Sequence, residues 1–196
     1  MHPAKALKLL YIIFFAGFAF SPSVSQAKEP DLNLYRSNIQ QLKKNLSSSP
    51  HDPNLHFNLA NNYWKLGQYR DAIIHYKSTL EVQPFDSEAH TGIGFAYGKM
   101  GQTKEALYHY NEALKINPED PKAHYRLGYE LINAGELNKA KTYLEGATNL
   151  DPYFALAFKE LAYVTAELKD PKSAIKYYKQ SLKLNRNDQN THRELL

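Results

Sequence analysis

The apolar residues between positions 53 and 84 follow a spacing that predicts two amphipathic helices. In the first half of this segment they stand three and four positions apart and stop at Gly67. In the second half a similar spacing is closed by Pro84. The residues are, in order, Leu55, Leu59, Tyr63, Leu66, Ala72, Ile73, Tyr76, Leu80 and Val82. Because steps of three and four place side chains on one face of a helix, the segment is predicted to be a helix-turn-helix unit.

The same unit recurs along the chain with a period of 34 residues. The positions that keep this step are the prolines at 50, 84, 118 and 152, the alanines at 72, 106, 140 and 174, and the small residues Ala60, Gly94, Gly128 and Ala162. Asp52, Asp86 and Asp120 stand where helix N-caps belong. Neither helix of a unit can bury its apolar face alone, so the units must stack. We therefore predict an all-α solenoid, a right-handed superhelix of four repeats at 53–86, 87–120, 121–154 and 155–188.

Both ends of the repeat array are predicted to carry partial capping helices. Residues 32–50 have the pattern of a repeat's second helix and would cover the first repeat. Residues 188–196 begin a truncated first helix, in which Thr191 and Glu194 would form a capping box and Leu195 and Leu196 fall on core positions. The turn of the fourth repeat is irregular, with Lys169-Asp170-Pro171. We expect this end to be the least stable and to be able to pair with a second copy.

The first 27 residues have the layout of a secretory signal peptide. Basic residues precede a continuous apolar run over 9–20, which is shorter than the roughly 20 residues of a membrane span. Small residues at Ser25 and Ala27 suit cleavage after Ala27, which leaves 28–31 as a short linker. The chain is therefore predicted to be exported, to a periplasm or to the outside of the cell. The alternative is an uncleaved N-terminal segment that anchors it in the membrane.

The composition excludes several classes of protein. A chain of 196 residues that is 43% hydrophobic and 22% charged can bury a core. The absence of cysteine excludes disulfide scaffolds, cysteine zinc sites and thiol nucleophiles. A net charge of +4 does not argue for nucleic acid, and there is no glycine-rich phosphate loop, serine nucleophile elbow or HExxH motif. We predict that the chain is not an enzyme and takes no cofactor, metal or nucleic acid.

The histidines form two columns in the repeat. The first helices carry His56, His90, His124 and His192, and the second helices carry His75 and His109. Packed helices lie roughly 8–10 Å apart, so one ion cannot easily collect a whole column. Packing between helices is the favoured interpretation, and a zinc-handling function is the alternative.

The unit resembles the tetratricopeptide repeat, whose signature has a small residue, an aromatic, an alanine and a closing proline at set positions. The second unit matches it with Gly94, Tyr97, Ala106, Tyr110 and Pro118. The resemblance covers residues 53–186 and implies a binding scaffold, with the site on the concave face formed by the first helices.

That resemblance assigns a set of aromatic, amide and basic residues to the concave groove. They are Phe57, Asn58, Asn61, Trp64, Lys65, Phe95, Lys99, Lys122, Tyr125, Arg126, Tyr129, Lys159 and Tyr163. Acidic residues on the same face are Glu88, Glu160 and Glu167, so positive charge is centred on the second and third repeats. A subfamily that grips carboxyl-terminal carboxylates is matched at Asn61, Lys122 and Arg126 but not at Phe57 and Gly92.

These residues lead to a functional hypothesis with one main alternative. The first is a non-catalytic adaptor that binds an acidic and apolar peptide or helix of a partner protein, in assembly of an envelope, secretion, pilus or cytochrome complex. The alternative is a polysaccharide-binding module of an envelope polymer export system, in which Trp64 and the tyrosines stack on sugar rings.

Overall fold

The computed structural model describes residues 32–186 and 188–194, and within them the chain is helical without strands. The predicted signal peptide and linker, the core positions Leu195 and Leu196, and the side chain of His192 lie outside the described residues. The helices are α1 Leu32–Ser48, α2 Pro53–Lys65, α3 Tyr69–Val82, α4 Ser87–Lys99, α5 Thr103–Ile116, α6 Pro121–Asn133, α7 Leu137–Leu150, α8 Ala155–Glu167, α9 Pro171–Leu184 and α10 Gln189–Glu194. No helix in this part of the chain combines the length and hydropathy that a membrane span requires.

The helices stack in chain order, which confirms the predicted all-α solenoid. Each helix packs against the next one in sequence, from α1 on α2 to α10 on α9. The first helices of neighbouring repeats (α2, α4, α6 and α8) also contact one another, so they line the inner face of the superhelix. The second helices form the outer layer. Side chains on the inner face therefore come from positions 34 residues apart.

Aspartates begin most of the first helices. The Asp52 carboxylate accepts the backbone N–H of Asn54 at 2.8 Å, and Asp120 accepts that of Lys122 at 2.8 Å. These bonds satisfy N–H groups that have no partner inside the helix. The fourth repeat differs, because Phe154 occupies this position and makes no side-chain cap.

Left-handed turns connect the two helices of each repeat. Gly67, Gly101 and Gly135 have φ angles of 73°, 74° and 77°. Glycine adopts this conformation without a Cβ clash. The fourth repeat has Lys169 at the same place, with φ of 62°. A lysine there costs roughly 1–2 kcal/mol, which fits an irregular fourth repeat.

The core runs between helices at the alanine and small-residue columns. Ala72, Ala106 and Ala140 are fully buried. A Cβ added at Gly128 would stand 2.7 Å from the Leu144 side chain, so the two helices of that repeat approach closely only because this position has no side chain. The residues at these positions are small because the helix axes approach closely there.

Asp188 begins the short last helix. Its carboxylate accepts the backbone N–H of Thr191 at 3.1 Å and the Thr191 hydroxyl at 2.8 Å. The expected capping box with Thr191 as the N-cap and Glu194 as its partner is therefore wrong, because Thr191 lies inside α10. The N-cap stands three residues earlier than the sequence pattern predicts.

Candidate functional site

A cavity of about 960 Å³ opens on the inner face across the first three repeats. Its floor comes from α2, α4 and α6, and one edge comes from the turn before α6. The predicted groove residues that line it are Phe57, Asn61, Trp64, Lys65, Phe95, Lys122, Tyr125 and Arg126. The helical register thus brings eight of the predicted residues to one concave surface.

The other predicted residues lie beside or away from this cavity. Lys99 adjoins it, with its Nζ 5.2 Å from the Phe95 ring centre. Tyr129 and Tyr163 are 39% and 38% exposed, closer to the C-terminal end. Asn58 is exposed on α2. Lys159 lies 3.4 Å from the Asp188 carboxylate, so its charge is already paired.

Cations lie over an aromatic pair at the centre of the groove. The Trp64 and Phe95 rings are 5.0 Å apart. The Arg126 guanidinium carbon is 4.2 Å from the Phe95 ring centre, and the Lys65 Nζ is 4.5 Å from that of Trp64. Such contacts hold cations by the ring quadrupole. Among the described residues, no carboxylate oxygen comes within 4.0 Å of the Lys65, Lys99 or Arg126 nitrogens. In the part of the chain that the structure describes, these cations contact aromatic rings and form no ion pair.

Carboxylates occur at one edge of the cavity. Glu88, Glu119 and Asp120 belong to the N-terminal ends of α4 and α6 or to the turn between α5 and α6. Asp120 is engaged as an N-cap, whereas Glu88 and Glu119 are exposed to water. The predicted groove positions all lie within the first helices and leave out the turn before α6. Sequence reasoning identified Asp120 as an N-cap but placed neither Asp120 nor Glu119 at the groove. Positive charge therefore dominates the aromatic floor but not the rim.

Tyr76 reaches the cavity from the second helix of the first repeat. Its hydroxyl donates to the Asn61 Oδ1 at 2.5 Å. A Cβ at Gly92 would stand 2.5 Å from the Tyr76 ring, so only glycine on α4 leaves room for the ring. Burial raises the pKa of Tyr76, and the charges of Asp86 and Glu88 add to this. The hydroxyl keeps its proton. Sequence reasoning placed Tyr76 in the core, although a glycine inside a helix is a signal of close approach.

A buried carboxyl group lies between α6 and α4. Glu130 is 7% exposed, and its carboxyl contacts the α4 backbone at the point where Gly98 has no side chain. The Asn133 Nδ2 donates to its Oε2 at 3.4 Å. Burial raises the pKa of Glu130, although Arg126 and Lys99 oppose this. Sequence reasoning did not find Glu130, because its position is not an inner-face position of the repeat.

Phe154 forms the wall of the cavity towards the fourth repeat. Its ring is 4.9 Å from that of Tyr125. Leu156, which follows it on α8, is 49% exposed and also lines the cavity. The position that carries a capping aspartate in the first three repeats thus carries Phe154 in the fourth, where it bounds the cavity with an apolar side chain. The groove is closed by aromatic and aliphatic side chains at this end.

Two pairs of histidines each bridge the two helices of one repeat. The Nδ1 atoms of His56 and His75 are 3.0 Å apart, and those of His90 and His109 are 3.1 Å apart. The His56 Nε2–H donates to the Pro50 carbonyl at 3.0 Å. In a neutral ring its Nδ1 then carries no proton, so it accepts from the His75 Nδ1–H. Within residues 32–186 and 188–194, no three histidine, aspartate or glutamate side chains form a group that could hold a metal ion. This geometry favours packing over zinc handling.

The solenoid has counterparts among known proteins. The crystal structure of MamA superposes with a TM-score of 0.72 at 23% identity, over 80% of this chain and 91% of that one. YrrB, described as a TPR protein with an unusual peptide-binding site, has a TM-score of 0.69 at 20% identity, over 84% and 86%. A thermophilic TPR protein of Thermus thermophilus has a TM-score of 0.66 at 21% identity, over 84% and 90%. These identities are low, so the likeness is one of fold.

Repeat models identify the family. No curated protein matches the sequence. Models of the tetratricopeptide repeat match residues 53–86, 99–132, 121–154 and 160–188, which together make up more than half of the chain. The matches at 53–86 and 121–154 coincide with the first and third helix pairs of the structure, and the match at 99–132 spans α5 and α6. The chain therefore belongs to the tetratricopeptide-repeat family.

Proposed function

We propose that this protein is a non-catalytic scaffold whose inner groove binds a peptide or helix of a partner protein. The observation that carries the proposal is the group of cations, Lys65, Lys99 and Arg126, lying over the Trp64–Phe95 pair with no carboxylate oxygen of the described residues within 4.0 Å of their nitrogens. A partner that supplies acidic and apolar side chains would satisfy both the charges and the rings. Aromatic and arginine side chains are also the residues that most often dominate protein interfaces.

The size of the cavity supports a short segment as the ligand. Its volume of about 960 Å³ is near the upper end of small-ligand pockets, so it takes a few side chains rather than a globular surface. One charge-assisted hydrogen bond to Arg126 would contribute roughly 1.5–3 kcal/mol. The similar fold of YrrB, described as peptide-binding, adds support for this class of ligand.

The site of action in this proposal is outside the cytoplasm. The apolar run over 9–20 and the small residues before position 28 support export through a cleaved signal peptide. An exported scaffold of this kind would serve assembly of an envelope, secretion, pilus or cytochrome complex. Self-association through the C-terminal end stays a prediction.

A pull-down from the envelope fraction of the source cells tests the groove. Arg126→Glu reverses the charge over Phe95, and we expect it to weaken capture of the partner roughly 10- to 100-fold. Arg70→Glu is the matched control, because Arg70 is exposed on α3 in the outer layer. Circular dichroism melts show whether each variant is folded. Equal capture by wild type, Arg126→Glu and Arg70→Glu would place the binding site elsewhere.

A polysaccharide ligand is the second candidate. It is favoured by Tyr129 and Tyr163, whose rings are partly exposed, and the Tyr129 ring lies 6.4 Å from that of Tyr125 in the cavity. Sugar rings stack on such faces. Trp64 is the single tryptophan of the chain, so its fluorescence reports on the groove. A saturable shift with millimolar oligosaccharide would favour the polymer, and its absence would favour the protein segment.

A further inference from the structure

Near Asn61 and Lys65 the cavity offers hydrogen-bond donors, whereas several acceptors of its lining are occupied and the Glu88 and Glu119 carboxylates face water at the rim. The Asn61 Oδ1 receives the Tyr76 hydroxyl at 2.5 Å, and the Asn117 Oδ1 receives the Glu119 backbone N–H at 3.3 Å. The Asp120 Oδ1 receives the Lys122 N–H at 2.8 Å. In the described residues no acceptor pairs with the Asn61 Nδ2 or the Lys65 Nζ. A ligand for this part of the groove must therefore bring acceptors.

Tyr76 decides which end of the Asn61 amide faces the cavity. A contact of 2.5 Å suits O–H···O and is too short for N–H···O, so the Asn61 oxygen is turned towards the tyrosine. The Nδ2 group, which has two donors, is then left for a ligand. Gly92 makes this arrangement possible, since a Cβ there would displace the ring.

Lys65 lies one helical turn beyond Asn61 on α2, and both side chains line the cavity. The Lys65 ammonium is held 4.5 Å from the Trp64 ring centre. Residues four apart on a helix are neighbours, and a carboxylate has two acceptor oxygens, so one acidic side chain can accept from both the amide and the ammonium. A neutral acceptor could accept from the Asn61 amide, but it would provide no negative charge to pair with the Lys65 ammonium.

We propose that Tyr76 is a positioning residue that fixes the Asn61 amide as a donor, so that Asn61 and Lys65 select an acidic side chain of the partner segment at the first repeat. This inference rests on the proposed function and names the chemistry of one subsite. The second acidic contact of that segment lies at Arg126, two first helices away. The Lys65 ammonium, the Trp64 and Phe95 rings and the Arg126 guanidinium follow one another at 4.5, 5.0 and 4.2 Å. The two contacts are therefore less than about 14 Å apart, or some four residues of extended chain.

The test uses a displayed library of random dodecapeptides, selected on the immobilised full chain. The tightest peptide is then synthesised with each acidic residue changed in turn to its amide. We expect one such change to weaken binding to the wild type at least 10-fold and binding to Tyr76→Phe less than 3-fold. Asn61→Asp, which presents an oxygen to the cavity, should bind the amide form more tightly than the acid. The loss at the other acidic residue should be the same in all three proteins.

Tyr110→Phe is the matched control, because Tyr110 is the equivalent residue of the second repeat and does not line the cavity. It should keep the wild-type preference for acid over amide. If Tyr76→Phe keeps that preference too, or Asn61→Asp does not reverse it, the role of Tyr76 is overturned and the scaffold function stands. If no peptide is enriched above a blank surface, both the subsite and the proposed function fall.

Discussion

At the scale of single residues, the paired histidines make the packing of each repeat sensitive to protons. Burial lowers the pKa of His109 to about 4, and the neighbouring charge of His90 and then Lys77 adds to the shift, while Glu112 opposes it. Burial also lowers the pKa of His75 and of His90. A second proton on a pair would set two N–H donors against each other. The folded state therefore keeps these rings neutral at a pH where an unfolded chain would charge them.

This predicts a loss of stability in acid. In the unfolded chain a histidine titrates near pH 6.5, so between pH 6.5 and 4 the unfolded state binds more protons than the folded state. The contribution of His109 is thus complete above pH 6.5 and is lost as the pH falls towards 4. After allowance for solvent screening of this half-exposed ring, we expect about 1–2 kcal/mol. Urea melts at a series of pH values measure it.

His109→Gln should flatten the dependence of the unfolding free energy on pH in this range. His51→Gln, at an exposed residue of the turn before α2, is the control and should leave the slope as in the wild type. An unchanged slope in His109→Gln would show that other groups, such as the carboxylates, carry the acid sensitivity.

At the scale of helices, the residues at the helix ends distinguish the regular repeats from the irregular one. The capping aspartates recur at 34-residue spacing in the first three repeats, and the fourth repeat lacks both the cap and the turn glycine. Phe154 stands at the N-cap position of the fourth repeat, where its ring packs against Tyr125 as a wall of the groove and makes no capping bond. In the fourth repeat the residues that normally begin the first helix and form the turn are absent, so packing against its neighbours defines its helices.

Removing a cap should destabilise the folded state. In Asp120→Ala the N–H of Lys122 loses its acceptor, and we expect the unfolding free energy to fall by about 1 kcal/mol. For a chain of this size that lowers Tm by roughly 2–4 °C. Glu119→Ala, next to it in the exposed turn, is the control and should stay within about 0.5 kcal/mol. A Tm of Asp120→Ala equal to that of the control would show that water replaces the cap.

At the scale of the whole molecule, stability depends on contacts within each repeat and between neighbouring repeats. Helices contact their neighbours in sequence and the next first helix, so no long-range contact ties the two ends together. The observation holds for the described residues. Such an array behaves as a one-dimensional chain of coupled units, and a weak interface can separate it into parts.

Overpacking at the centre should therefore break the array. Ala106 is fully buried, and its carbonyl lies 3.2 Å from where a Cβ would stand at Gly94. Ala106→Leu inserts three carbons there and should cost about 1–3 kcal/mol and broaden or split the melting transition. Lys104→Leu adds an apolar side chain on the exposed side of the same helix and should melt as the wild type does. A single sharp transition in Ala106→Leu, at the wild-type Tm, would contradict close packing.

The sequence by itself determined the repeat, its helices and most of the inner-face residues. This was possible because helix period, capping by aspartate and left-handed glycine turns depend on residues a few positions apart. The aromatic and basic side chains on the inner face of α2, α4 and α6 were predicted from their equivalent positions in the 34-residue repeat. The N-cap of α10 was missed because Asp188 and Thr191 are both good capping residues, and only the backbone distinguishes them.

Only the tertiary structure decided which of these residues share a cavity. Tyr76 enters the groove from a second helix because Gly92, sixteen positions later on another helix, leaves room for it. Lys159 is withdrawn from the groove by Asp188, 29 residues away. Glu130 is buried against Gly98 of the preceding repeat. The groove is a surface between repeats, so its shape and its available charges depend on side-chain volumes and partners that meet only when the units stack.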